Sequence, residues 1–460
     1  MSELLARNVP KLEKLARGYG LDFYPVDFEL TPASFMLEIS VYGLPVRMPH
    51  WSFGVRYIHQ LVRQSMGNSR IFEVMFPGDP CHAYLQETNT DAENTLVIAH
   101  VLGHADFAKN NHLFERFHKM SGGNIVEMAA AHAHRIEDAL REHGVEKVEP
   151  VLDAALSLES HVDVGRELHR SPYPLKGACK APCCAPAGKA TTGFRKRYED
   201  LPGQLAKEPD AKVNRLPIPP HPEQDLLWFI AQYGEDLEGW ERDIFLAVRE
   251  ESFYFCPVFA CQIMNEGWAS YWHARLLREA DFLPNGDYLS AIKCHSDVVS
   301  PYASGDQQTS LAINPYHLGF SMWENIVEAH GLEKARAILR EEDDFSFVRN
   351  YLDRDLADKL NLFVWEAKDD GEIKVAGRDI NLLRESIVAP RFNYGAPRIS
   401  VTEMRADGTL VLKHDHEVDG RGLDVKRASQ VLDYVHRVWR RPVKMVTVDE
   451  RGADEIVSVG

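Results

Sequence analysis

Two histidines four residues apart are the first residues in this chain that could do chemistry. In the string Ala99-His-Val-Leu-Gly-His-Ala-Asp-Phe107, a helix would set His100 and His104 about 40° apart around its axis and one turn apart along it. One ion could then touch both imidazoles. The spacing is that of H-E-x-x-H metalloproteases, whose glutamate takes a proton from water on the zinc. Here Val101 stands in that glutamate's place. Gly103, beside the second histidine, leaves room for another backbone to approach.

A histidine pair needs a third donor to make a site. The best candidate is Glu266 in Met264-Asn-Glu-Gly-Trp-Ala-Ser-Tyr-Trp-His273, a carboxylate among aromatic residues where a helix-weakening glycine, Gly267, is tolerated. A charged Glu266 there needs a cation or hydrogen-bond donors to offset its desolvation. A metal ion would serve, and so would an arginine such as Arg249 or Arg275. His273 follows Glu266 by seven residues, about 10 Å along a helix, too far for one ion to hold both. It is better suited to backing a ligand, to acid–base work or to touching a substrate. Tyr271 shares with His273 the candidacy for stabilising or protonating a reacting group. Trp268 and Trp272, one turn apart, read as core. Asp106 and Glu251 are candidates to replace the missing base, as are Glu250 and His112. Glu127, His132 and His134, with His161 and Asp163 further on, could form a second cluster or a hydrated face, and the hydrated face is the preferred reading.

The elements that position these residues are mostly helical. Apolar periodicity predicts helices over 4–19, 51–64, 89–109, 125–143, 148–158, 225–233, 240–251, 262–278 and 322–339. Asn89, Thr90 and Asp91 suit a helix start, and Gly144 a stop. Alternation broken by Pro25, Pro32 and Gly43 predicts short strands and turns over 22–44, and 71–76 reads as a strand ended by Pro77-Gly-Asp-Pro80. At the C-terminal end, a hairpin over 399–413, a helix over 425–439 and strands over 443–448 and 456–459 make a small module of ββαββ order. The expected organisation is a mostly helical half over 1–170 carrying the histidine pair, a proline-rich connector over 171–222, a helical half over 223–390 carrying NEGWASYWH, and an α/β module over 391–460.

Composition narrows the classes of function. The 460 residues carry 69 acidic and 52 basic side chains, a formal charge of −17 that would repel a phosphate backbone, so nucleic acid is not the expected partner. The basic run Gly193–Tyr198 falls in the connector and reads as solvated. No stretch reaches the roughly 20 apolar residues of a membrane span, and the first twenty residues mix charge among their leucines, so a cytoplasmic protein is expected. Seven scattered cysteines do not form a disulfide framework. Cys179, Cys183 and Cys184 could clip a soft metal, but no second pair follows at zinc-finger spacing.

Five strings together resemble the SpoVR (stage V sporulation protein R) family: EISVYGLPVRMPHWSFG from Glu38, AHVLGHADF from Ala99, VREESFYF from Val248, MNEGWASYWH from Met264 and NPYHLG from Asn314. The resemblance implies a bacterial cytoplasmic protein. In spore formers the family is tied to making the peptidoglycan cortex, and elsewhere to stress-related operons that include a serine kinase. Within these strings His50, Trp51 and Tyr316 combine polar reach with aromatic surface and are candidate substrate-lining residues. A more distant likeness, E-G-W-A-x-Y, links the chain to gluzincin-type zinc peptidases, where that glutamate is the third zinc ligand; the role would fall on Glu266.

The sequence therefore leads to an α+β protein, a mainly helical zincin-like body with a small C-terminal α/β module. The expected function is a Zn2+-dependent hydrolase of an amide bond, acting on a peptide or peptidoglycan precursor, with His100, His104 and Glu266 as ligands. The rival expectation is a regulatory or scaffold protein working with a serine kinase, its histidine and glutamate cluster being structural.

Overall fold

Thr90 starts the histidine helix, Asp91–Asn110, with a reciprocal cap. Its hydroxyl accepts from the Glu93 amide while the Glu93 carboxylate accepts from the Thr90 amide, satisfying two donors that a helix start leaves open. Every side chain from Asn94 to Ala108 is buried. The polar residues in that run must find their partners inside the protein.

The computed structural model describes residues 3–65, 71–120, 122–169, 218–300, 313–367, 373–377, 379–419, 422–449 and 452–460. It is mainly helical, and it divides into two units: Met1–Glu149 with Glu250–Ala396, and Pro150–Arg249 with Pro397–Gly460. Among the described residues no cysteine forms a disulfide, and no helix is long and apolar enough to cross a membrane. Cys179, Cys183, Cys184, the basic run 193–198 and most of the proline-rich connector lie outside the described residues.

In the first unit, β1 (Val26–Thr31), β2 (Glu73–Phe76) and β3 (Cys81–Gln86) form a sheet of order β1-β3-β2. β1 runs parallel to β3, and β2 lies antiparallel at an edge with Glu73 opposite Leu85. A short hairpin, β4 (Val364–Ala367) with β5 (Ile373–Gly377), follows late in the unit. Three helices carry the centre: the histidine helix, the glutamate helix Gln262–Arg278, and Pro315–Glu341, which is interrupted at Gly331. Asp344 caps the glutamate helix from outside it, its carboxylate accepting from the amides of Ile263 (2.8 Å) and Met264 (2.9 Å).

Glycine decides how closely these helices cross. A methyl on Gly103 would lie 2.7 Å from Ala269 Cα, and one on Gly319 only 2.0 Å from the Ile263 carbonyl oxygen. The histidine helix therefore meets the glutamate helix at backbone contact, and the glutamate helix meets Pro315–Glu341 in the same way across Gly267 and Gly319. Around the crossings pack Trp268, Trp272 and Trp323, all fully buried. The two glutamate-helix tryptophans are core, as their spacing predicts.

In the second unit, β6 (Ile399–Met404), β7 (Leu410–His414), β8 (Val443–Val448) and β9 (Asp454–Val459) form a sheet in sequence order. The β7–β8 pair is parallel and is bridged by the helix Val425–Trp439, which gives the expected ββαββ order.

Two local expectations are corrected. The stretch 22–44 is not all strand and turn: after β1, Pro32 caps a helix over Ala33–Tyr42 that ends at Gly43 in the left-handed region (φ 70°). Its β-branched and aromatic residues favour strand locally, but burial of Met36, Leu37, Ile39 and Val41 overrides that preference. β3, with its alternating Cys81, Ala83 and Leu85 buried, was masked in the sequence by the proline-rich turn before it.

Candidate metal centre

The close crossing at Gly103 brings the histidine pair against the second turn of the glutamate helix. His104 Nε2 and His100 Nε2 are 3.0 Å apart, and Glu266 Oε2 lies 3.4 Å from the first and 3.6 Å from the second. The ligating atoms of these three residues all fall within 4.8 Å of one another, and both histidines are buried. Among the described residues, none donates a hydrogen bond to the buried Glu266 Oε2.

The other ring nitrogens point away from this focus and are engaged. His104 Nδ1 donates to Asn265 Oδ1 at 2.8 Å, which leaves Nε2 facing the carboxylate. His100 Nδ1 lies 2.9 Å from His273 Nδ1, and His273 Nε2 lies 2.6 Å from His295 Nδ1, on the helix Asn285–Val298. Three imidazoles thus form a chain leading away from the focus.

A second carboxylate faces the same point. Glu73, from the start of edge strand β2, puts Oε1 3.8 Å from His100 Nε2. Burial, and less strongly the Glu266 charge, push its pKa up to about 7 against the pull of His104. Burial also drives His100 down to about 4, helped by the neighbouring His104 charge. Burial opposes a charge on His104 too, but the nearby Glu266 carboxylate, with the Asn265 hydrogen bond, outweighs it and raises its pKa. Glu266 would be raised by burial, yet the two histidines hold it well below the usual carboxylate range. His273 is pushed well below the usual imidazole range by burial and by the surrounding histidines. Tyr316 stays protonated, because the Glu266 charge and burial raise its hydroxyl well above its ordinary value. Burial thus disfavours a charge on His100 and His273, whereas the Glu266 carboxylate favours one on His104.

The structure brings together His100, His104, Glu266, His273 and Tyr316 from the candidates. It places the others elsewhere. Asp106 accepts from Trp268 Nε1 at 2.8 Å and from the Asp22 amide at 2.7 Å, fixing the helix crossing from its far side. Tyr271 packs on Trp268 and Trp272, its hydroxyl accepting from Arg275. Glu251 is paired with Arg47 at 2.8 Å. His50 faces Ser52 Oγ at 2.8 Å, and Trp51 begins the exposed helix Trp51–Ser65. Of the arginines considered for Glu266, Arg249 pairs with Asp225, and Arg275 lies over the Tyr19 and Trp272 rings. Glu127 and His134 are exposed as expected. His132 is not: it is buried, between Glu250 at 3.0 Å and Glu251 at 3.4 Å, because the facing helix Gly239–Ala260 carries the carboxylates that satisfy it.

Sequence reasoning missed Glu73, Asn265 and His295. A single carboxylate inside the apolar strand IFEVMF was the available signal for Glu73. Asn265 adjoins Glu266 and drew no separate attention, and nothing in the spacing of His295 ties it to the pair.

Comparison with known proteins bears on the whole chain. A family model described as SpoVR like protein matches residues 1–390, and one described as SpoVR-like C-terminal domain matches residues 397–450. The chain belongs to the SpoVR family. A SpoVR relative, the protein of Escherichia coli (strain K12) titled "Uncharacterized protein YcgB", is 28% identical over 510 aligned residues, which cover 99% of this chain and 94% of that protein. No solved structure matches. All the residues of the histidine–glutamate focus lie in the part matched by the first SpoVR model.

Proposed function

We propose that this SpoVR protein is a metal-dependent hydrolase of an amide bond, in which His100 Nε2, His104 Nε2 and Glu266 Oε2 hold one divalent cation. The observation that carries the reading is their mutual spacing of 3.0, 3.4 and 3.6 Å around a buried carboxylate oxygen that has no hydrogen-bond donor among the described residues. Ligands at bond lengths of about 2.1 Å and tetrahedral angles sit roughly 3.4 Å apart, so the donors need little rearrangement. Two imidazoles and one carboxylate, with a further position left open, suit catalytic zinc. A zincin-like body, with the histidine helix following the central strand β3 of its sheet, is part of this proposal.

The bound ion supplies Lewis acidity, polarising a carbonyl and making water a competent nucleophile near neutral pH. Glu73 fills the role left open at Val101. Its carboxyl, poised near neutrality beside the focus, accepts the proton of the attacking water at Oε1 and returns it to the departing amine nitrogen as the carbon–nitrogen bond breaks. Tyr316 offers a hydroxyl donor to the carbonyl oxygen or to substrate. His273 and Asn265 orient the ligands from behind. The substrate class is a peptide-type amide. The family's tie to the spore cortex favours peptidoglycan precursors, which a cytoplasmic enzyme could reach, and a serine kinase is the candidate partner.

The test is metal analysis of purified wild type against His100→Ala and Glu266→Gln, with circular dichroism to confirm folding. One ion per chain, lost in both variants, is expected, with Glu73→Gln keeping the ion but losing hydrolysis of peptide substrates. Metal content unchanged in folded His100→Ala and Glu266→Gln would refute the ligand set.

A further inference from the structure

A surface helix normally turns its apolar stripe toward the core. The helix Trp51–Ser65 does the reverse. At 100° per residue, Trp51, Val55, Ile58 and Val62 fall within a sector about 60° wide. All four are exposed, Ile58 at 61% and Trp51 at 51%, and Leu61 extends the exposed apolar surface along one flank. The side that faces the protein is another one, roughly 180–240° around from Trp51. There Phe53 is buried, edge-on to Tyr42 and beneath the Arg47 guanidinium, with Tyr57 and Gln60 half-buried.

The remaining sector is basic. Arg56, His59 and Arg63 lie about 80–140° from Trp51, between the apolar stripe and the attached side. All three are exposed, and the helix contains no aspartate or glutamate. That is notable in a chain whose formal charge is −17.

We infer that the helix Trp51–Ser65 is a docking surface for an anionic lipid bilayer, lying in the interface with Trp51, Val55, Ile58 and Val62 inserted and Arg56 and Arg63 at headgroup level. An outward apolar stripe, flanked by cations and begun by a tryptophan, is the composition that binds in the headgroup region. Charge complementarity favours this occupant over a second copy of the chain. Two such helices packed stripe to stripe would bring arginines toward arginines with no carboxylate on either helix to receive them. An acidic surface meets the arginines with opposite charge, and each cation near it contributes roughly a fivefold gain in binding. This inference does not depend on the metal centre.

The test is co-sedimentation of the full chain with vesicles of phosphatidylcholine containing phosphatidylglycerol, against vesicles of phosphatidylcholine alone, with light scattering to report oligomeric state. Binding to the anionic vesicles only is expected. Val55→Asp with Ile58→Asp should abolish it without moving the thermal midpoint, since both side chains are exposed, and Arg63→Gln should weaken it roughly fivefold at low salt. The inference is overturned if wild type binds neither vesicle, or if the aspartate variant binds as wild type does. It is equally overturned if the apolar stripe proves to hold a dimer in solution that the aspartate variant dissociates.

Discussion

Two buried histidine–carboxylate clusters lie in the same unit of this protein, and they balance their charge differently. In one, Glu251 is fully buried against the Arg47 guanidinium at 2.8 Å, with His132 beside it and Glu250, half exposed, closing the far side. In the other, the described residues that offer Glu266 positive charge are the two imidazoles of His100 and His104, with no guanidinium beside it. A guanidinium is a permanent charge and cannot be displaced by an ion. A proton on His104, which the Glu266 charge favours, can be. The first cluster is therefore balanced by a permanent charge, while the second relies on imidazoles, whose charge the proposed divalent cation would replace.

The sharpest way to break this comparison is Arg47→Met. It leaves Glu251 buried without its cation and should cost about 3–5 kcal/mol by urea denaturation, with no change in metal content. A neutral effect would mean that the Arg47 guanidinium does not compensate Glu251 and that the two clusters do not differ as described. Next in size are the helix crossings. Gly319→Ala, whose new methyl would meet the Ile263 carbonyl at 2.0 Å, should cost about 1–3 kcal/mol, and Gly103→Ala should also lower metal affinity by separating the histidines from Glu266. Calorimetric titration with zinc reads that second effect, which the Arg47 cluster should not share.

A smaller effect is expected behind the ligands. Asn265→Ala and His273→Phe each leave one ligating histidine without its partner at Nδ1, and metal affinity should fall roughly 10–100-fold without being abolished. The smallest concerns a third buried acid, Asp344, which has helix amides as donors and Arg391 no nearer than 3.6 Å. Burial pushes its pKa up from 3.8 to about 7. The folded state therefore holds a proton that the unfolded state releases, and the stability this confers is full below about pH 4 and is lost as pH rises through about 7. The stability difference between wild type and Asp344→Asn, followed by denaturation at several pH values, should shrink over that window. A difference that grows with pH would show the carboxyl to be ionised throughout.

Much of the centre could be read from the sequence because helical spacing is rigid. The four-residue spacing of His100 and His104 fixes their relation before anything packs on them, and Gly103 announces a close neighbour. Glu266 stood out because a carboxylate among tryptophans must be compensated. The ββαββ module was legible for a similar reason, each of its strands being bounded by turn residues. What could not be read depends on register and distant pairing. Glu73 reaches the centre only because β2 pairs antiparallel with β3, a strand hidden behind a proline-rich turn. His132 is buried only because another helix, more than a hundred residues on, presents Glu250 and Glu251 to it. Asp106, two residues from His104, faces the opposite way and serves Trp268, as the helical period requires of a residue at that offset.

The most direct measurement is a crystal structure of the purified protein with anomalous data collected at the zinc edge. The account predicts one strong peak about 2.1 Å from His100 Nε2, His104 Nε2 and Glu266 Oε2, with the Nδ1 atoms still on His273 and Asn265. A Glu266 carboxylate held instead by protonated His104, with no peak between the three even after zinc is added, would contradict it.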